Sequence, residues 1–274
     1  MAIASVRPAA LAGQFYPSNE RVLRMQITEM LAAALPPEQV APPKAMIVPH
    51  AGYLYSGVVA ANAYRTLAGL REQIRRVIVL GPAHRVSFRG FTVPAAEAFS
   101  TPLGEVPLSR IDWLMLQARD DVCIDDQPHA LEHCIEVQLP FLQTMLGSFS
   151  LVPILVGEAA DESVAELLEA LWGGPETLIV ISSDLSHYLP YRQAQWIDRS
   201  TVNQVLELRP GITHQQACGA TPVNGLLMAA QRRLLKPRLL DLRNSGDTAG
   251  DRSRVVGYAS LVFSEPEATA HARH

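Results

Sequence analysis

The sequence predicts an α/β fold in one domain, with a mainly parallel central sheet. Three observations carry that prediction. Short continuous apolar runs recur along the chain, as expected of strands covered on both faces. Helical apolar patterns separate these runs, the arrangement of parallel strands joined by crossover helices. No internal repeat and no long Pro/Gly/Ser linker divides the 274 residues, a length that one large domain can fill.

Taken in order, Ala45 to Val48 is a short buried strand, and Val58 to Leu67 is an alanine-rich helix. "RVIVL" (Arg76 to Leu80) is a second buried strand, and "FTVP" (Phe91 to Pro94) suggests a short edge strand. Leu108 to Gln117 and Glu132 to Leu146 have helical patterns, the second with a kink expected at Pro140. "FSLVPILVG" (Phe149 to Gly157) is strand-like, and Asp161 to Leu171 is a helix whose acidic first turn suits the positive end of its dipole. "TLIVISSD" (Thr177 to Asp184) is the clearest central strand. Two or three helices are expected between Arg192 and Leu235. The strands Arg238 to Leu242 and Arg254 to Phe263 then close the domain, close enough in sequence to pair antiparallel. The domain spans 1–263, and "SEPEATAHARH" (264–274) reads as a disordered tail.

Bulk properties narrow the function classes. The formal net charge is −4 and the basic residues are scattered, so nothing favours nucleic acid or an anionic membrane as partner. No basic-then-apolar leader and no run of about 18 apolar residues occurs. Cys123, Cys134 and Cys218 form no CxxC pair, which fits buried free thiols in a reducing cytoplasm.

The chemistry-bearing signal is a histidine placed just past an apolar strand, three times over. "MIVPH" ends in His50, "VIVLGPAH" ends in His84, and "LIVISSDLSHY" carries His187. In open α/β sheets ligands sit beyond the carboxyl ends of the strands, so parallel neighbours would gather these imidazoles on one rim. Imidazole binds metals and works as an acid or base near neutral pH. A carboxylate would complete a two-histidine, one-carboxylate metal set of the kind used by non-heme Fe(II) enzymes. Asp247, in the Ser-Gly-Asp-Thr turn, ranks ahead of Asp184, whose alternative role is to orient His187. Tyr53, Tyr55 and Tyr188 fall near the rim as candidate contacts for a planar substrate.

A separate stretch, "HALEH" (His129 to His133), matches the H-x-x-E-H pattern of one zinc protease class. Pro128 puts it in a first helical turn. The competing expectation is that His133 and Glu136 face the cleft while Ile135, Leu139 and Leu142 pack inward.

The chain resembles the Memo family, which includes the B protein of the AmmeMemoRadiSam system. The motifs are "RPAALAGQFYP" (Arg7 to Pro17), "VPHAGYLYSG" (Val48 to Gly57), "VIVLGPAH", "EHCIEVQLPFL" (Glu132 to Leu142), "SSDLSHY" (Ser182 to Tyr188) and "SGD...SRVVGYAS" (Ser245 to Ser260). That resemblance implies a single-domain three-layer sandwich similar to the catalytic subunit of class III extradiol dioxygenases, non-heme Fe(II) enzymes. It implies His50 and His84 as metal ligands and His187 as the acid/base, with Fe(II) as the metal and copper or zinc as alternatives. In animal Memo proteins a cysteine near the last strand completes the site; here no cysteine follows Cys218, and the turn holds Asp247 and Thr248. The resemblance further implies a pathway shared with a radical S-adenosylmethionine protein and an AMMECR-type protein. Against a metal-dependent oxidoreductase stand a non-catalytic adaptor that uses the same cleft and a zinc-dependent hydrolase.

Overall fold

In the computed structural model, residues 5–34 and 41–266 are described. The first half of the chain forms β1 (Val6–Arg7), α1 (Glu20–Ala33), β2 (Pro43–Val48), α2 (Tyr53–Tyr64), β3 (Arg76–Pro82), β4 (Phe91–Val93), β5 (Ala98–Thr101), β6 (Gly104–Pro107), α3 (Ile111–Gln117), β7 (Val122–Ile124), α4 (Gln127–Ala130) and α5 (Leu139–Met145). The second half forms β8 (Ser150–Val156), α6 (Asp161–Leu171), β9 (Thr177–Ser182), β10 (His187–Leu189), α7 (Tyr191–Leu206), α8 (Ala220–Arg232), β11 (Lys236–Asn244) and β12 (Val255–Ser264).

The main sheet runs β10-β12-β2-β9-β3-β8-β4-β7, with β11 also paired to β12. Its centre, β2-β9-β3-β8, is parallel. The flanks are not. β12 pairs antiparallel with β2, β10 and β11, and β4 pairs antiparallel with β8. The sheet is therefore mixed rather than mainly parallel. For one of these pairs the reason is local: β11 and β12 follow each other closely enough to form a hairpin, the connection antiparallel strands allow. Nor is β4 an edge strand, because β7 adds outside it.

The alternation of buried residues builds three layers. On the central strands Met46, Val48, Val77, Val79, Leu178 and Val180 face one core, shared with Leu23 and Ile27 of α1, Ala60 of α2 and Leu142 of α5. Ala45, Ile47, Ile78, Leu80, Ile179 and Ile181 face the other, with Leu167 of α6, Val202 of α7 and Leu226 of α8. Strands buried on both faces read as continuous apolar runs for this reason. Helix α6 and helix α8 meet closely at Gly225, where a Cβ would strike Val164.

The expected helix over Glu132 to Leu146 is broken. Residues 131–135 form a turn, and α5 begins only at Leu139, with Pro140 in its first turn. Proline is at home there and produces no kink. Helix α1, which carries Leu23, Ile27, Met30 and Leu31 inward, went unread in the sequence. The tail lies, from 267 on, outside the described residues, and β12 continues through Ser264. Among the described residues no helix is long and apolar enough to cross a membrane.

Candidate metal centre

Because β2, β9 and β3 are parallel neighbours, the loops leaving them open on one edge. His50 follows β2 and His84 follows β3, and their rings lie 5.1 Å apart between centroids. The third member of the cluster is His133. Its ring is 5.0 Å from His50 and 4.6 Å from His84. One ligand nitrogen from each of the three lies within 4.8 Å of the others, a grouping that could hold a metal ion. His50 is buried, His84 is exposed and His133 is between them, so the cluster opens to solvent on the His84 side.

Hydrogen bonds fix the tautomers. Glu132 Oε1 lies 2.9 Å from His84 Nδ1 and 3.0 Å from His133 Nδ1. A carboxylate only accepts, so both Nδ1 atoms carry the proton. The hydroxyl of Ser182 donates to the Cys134 carbonyl at 2.6 Å and accepts from Gln138 Nε2 at 2.9 Å. Its single hydrogen is thus used, and the 3.0 Å contact from His50 Nδ1 is a donation to it. Each imidazole is left with Nε2 as the nitrogen it can offer to an ion, the usual way protein metal ligands are oriented.

Electrostatics point the same way. Burial pushes the His50 pKa well below its ordinary value, and neighbouring His133 and His84 push it further, so the ring stays neutral. Burial would raise the Glu132 carboxyl, but the hydrogen bonds from His133 and His84 outweigh it and hold the group ionised, well below the carboxylate range. The same carboxylate explains the broken helix. Glu132 accepts from the backbone amides of His133, Cys134 and His84, and an amide taken by a side chain is lost to the helical ladder.

Asp184 is buried and accepts from the His50 amide at 2.7 Å, so it positions His50 rather than His187. Cys218 Sγ approaches His50 Nε2 to 3.2 Å. His187 directs Nδ1 at the Leu185 carbonyl, 2.8 Å away, so Nδ1 donates and Nε2 is the nitrogen left without that partner.

Several expected site residues lie elsewhere. Asp247 accepts from the Asn244 amide at 3.0 Å and from the Tyr191 hydroxyl, closing a capping box with Asn244 beside α7. Among the described residues, the third nitrogen grouped with His50 and His84 comes from His133 instead. His133 is thereby promoted from an accessory contact to a member of the cluster. Tyr53 is a core residue, with its hydroxyl donating to the Val137 carbonyl at 2.7 Å. Tyr188 is exposed, under the Arg254 guanidinium and beside His187, in the left-handed region at φ 58°. It is the extra residue of a bulge in the β10–β12 pairing. Glu136 is fully buried against Arg7 and does not face the cleft. Of the thiols, Cys123 is exposed rather than buried.

The "HALEH" pattern does not form a helical zinc site. Helix α4 ends at Ala130, and His129 is buried with Nε2 between the Thr92 carbonyl and hydroxyl. Burial lowers its pKa to about 4. A histidine held neutral in the fold and protonated when unfolded favours the native state above pH 6.5 and stops doing so as pH falls toward 4. The contribution is on the order of 3 kcal/mol. We therefore expect His129→Gln to lose stability at pH 8, and its gap to wild type to narrow by that amount by pH 4. Urea unfolding across that range, with metal content measured in parallel and expected to be unchanged, checks both points.

A family profile described as "Memo-like protein" matches residues 7–262. A MEMO1 family protein of Sulfolobus acidocaldarius is 34% identical, with 95% of this chain and 100% of the relative covered. One from Aquifex aeolicus is 35% identical over 94% and 99%. The matched span includes all three clustered histidines, Glu132 and His187, and on these grounds the chain belongs to the Memo family.

Proposed function

We propose that this protein is a metal-dependent oxidoreductase of the non-heme Fe(II) type, acting on a small oxygen-bearing substrate such as a catechol. His50, His84 and His133 would hold the ion. The observation that carries the reading is the engagement of three Nδ1 atoms by Glu132 and Ser182, which leaves Nε2 of each ring as the nitrogen to offer an ion. Imidazole sets suit iron, copper and zinc. When bound, iron would supply electrons to dioxygen and acidify a substrate hydroxyl. His187, with Nδ1–H held by the Leu185 carbonyl, would accept the hydroxyl proton at Nε2 and return it later. Buried Asp184 keeps the His50 backbone in place during that exchange.

Protein purified without oxygen should retain iron, and His50→Ala should abolish retention. His187→Gln should keep the metal and lose about 10²–10⁴-fold in turnover, read as oxygen uptake over a catechol panel. Wild type that binds neither iron nor copper on anaerobic reconstitution would rule the reading out. A second reading has one observation in its favour: a three-histidine cluster that opens to solvent on the His84 side also matches a catalytic zinc site. Retained zinc with ester or amide hydrolysis and no oxygen uptake would select it. Partner binding that survives loss of all three clustered histidines would select a non-catalytic adaptor.

A further inference from the structure

A cavity of about 350 Å³ opens beside the cluster, lined among others by His84, Arg85, Phe88, Glu158, His214 and Cys218. Its size is that of a small-molecule site. Two of its lining residues adjoin the histidine cluster. His84 belongs to the histidine cluster, and Cys218 touches His50.

The charges on its walls are not balanced. Glu158 has Arg89 at 3.7 Å. Both ring nitrogens of His214 are engaged, Nδ1 with the Cys218 carbonyl and Nε2 with the Thr221 hydroxyl. Arg85 has no carboxylate or other polar partner among the described residues. Its guanidinium is charged at any working pH and presents a planar fork suited to a carboxylate.

The loop bearing Arg85 is also held firmly. The Ala83 amide donates to Val156 and the His84 amide to Glu132, while the Glu158 amide donates to Phe88 and the Gly90 amide to Glu158. Gly157 lets Phe88 lie against the β8 end, where a Cβ would strike its carbonyl and ring. Arg85 is exposed, and an unpaired cation one residue from a cluster histidine, on an anchored loop beside an aromatic wall, can turn its planar fork to an anion entering the cavity.

We propose that Arg85 is a specificity-determining residue that anchors the carboxylate of a small, carboxylate-bearing substrate in this cavity. The proposal deepens the reading above and rests on it for the placement of the substrate's reacting oxygens at the histidine cluster.

The test compares catechol with 3,4-dihydroxybenzoate, titrated calorimetrically into metal-free and Zn(II)-loaded protein. The carboxylate should bind at least about tenfold more tightly, the worth of one charge-assisted contact, and less so in high salt. Arg85→Gln should bring the ratio close to one, Arg85→Lys should keep part of it, and Arg24→Gln, an exposed change on α1 outside the cavity lining, should leave it as in wild type. Metal retention by Arg85→Gln serves as the check on folding. Equal affinity for the two probes, a preference that survives Arg85→Gln, or binding of neither probe would overturn the proposal. If the metal reading alone fails, Zn(II) is not retained, yet the Arg85-dependent preference is still visible in metal-free protein.

Discussion

Glu132→Gln is expected to weaken metal binding about 10–100-fold, the usual cost of losing the group that orients a histidine ligand. Glu132 accepts from the Nδ1 atoms of His84 and His133 and from the amides of His84, His133 and Cys134. A glutamine presents an NH₂ group to donors, so at least one buried hydrogen stays unmatched. With hydrogen bonds to charged groups each worth about 1.5–3 kcal/mol, the fold should lose at least about 3 kcal/mol. The carboxyl is held well below its ordinary range, so its stabilisation is present above the unfolded pKa near 4.5 and is lost as pH falls. Competition against a chelator measures the first effect, and urea unfolding at pH 7 the second. Unchanged metal affinity would refute the tautomer assignment made for His84 and His133.

Arg7→Met is expected to destabilise the protein by about 3–5 kcal/mol, the range for removing one partner of a buried ion pair. Arg7 donates to Glu136 at 2.6 Å, to the His129 carbonyl at 2.6 Å and to the Glu132 carbonyl at 2.8 Å. Glu136, with no exposure, also accepts from the amides of Ala10 and Leu11 and from the Tyr16 hydroxyl. These contacts fasten the N-terminal arm over the segment that carries Glu132 and His133. Phe15, on the same arm, packs its ring 4.8 Å from that of His133. Loosening the arm should therefore lower metal affinity as well as stability. Adding Glu136→Leu to Arg7→Met should recover part of the stability, because the stranded charge is gone, without restoring the metal affinity. A double-mutant cycle by urea unfolding separates the two contributions.

The sequence made His50 and His84 legible because each sits where a buried strand ends, and parallel strand ends converge. His187 was read on the same ground, but the nitrogens grouped with those of His50 and His84 come from His133 and not from His187. His133 was visible but misplaced, because an apolar pattern at helical spacing hid a turn that a single carboxylate creates. Asp247 was attractive because its turn follows a strand, yet a short aspartate beside an asparagine prefers to cap its own turn. The parallel centre of the sheet was read from continuous apolar runs. The antiparallel flank was legible only where β11 and β12 adjoin, because the partners of β4 and β10 are set by tertiary packing. The buried pair of Arg7 and Glu136 spans more than a hundred residues of chain, beyond the reach of any local pattern.

One carboxylate serving two imidazoles makes the loss of either one visible to the other. With His84 removed, Glu132 would keep its grip on His133 but lose a donor that holds its own rotamer, and the reverse holds for His133. Alanine at both positions should then cost less than the two single changes added together. In that sense these two histidines are coupled through Glu132, with His50 held by a separate Ser182 tether.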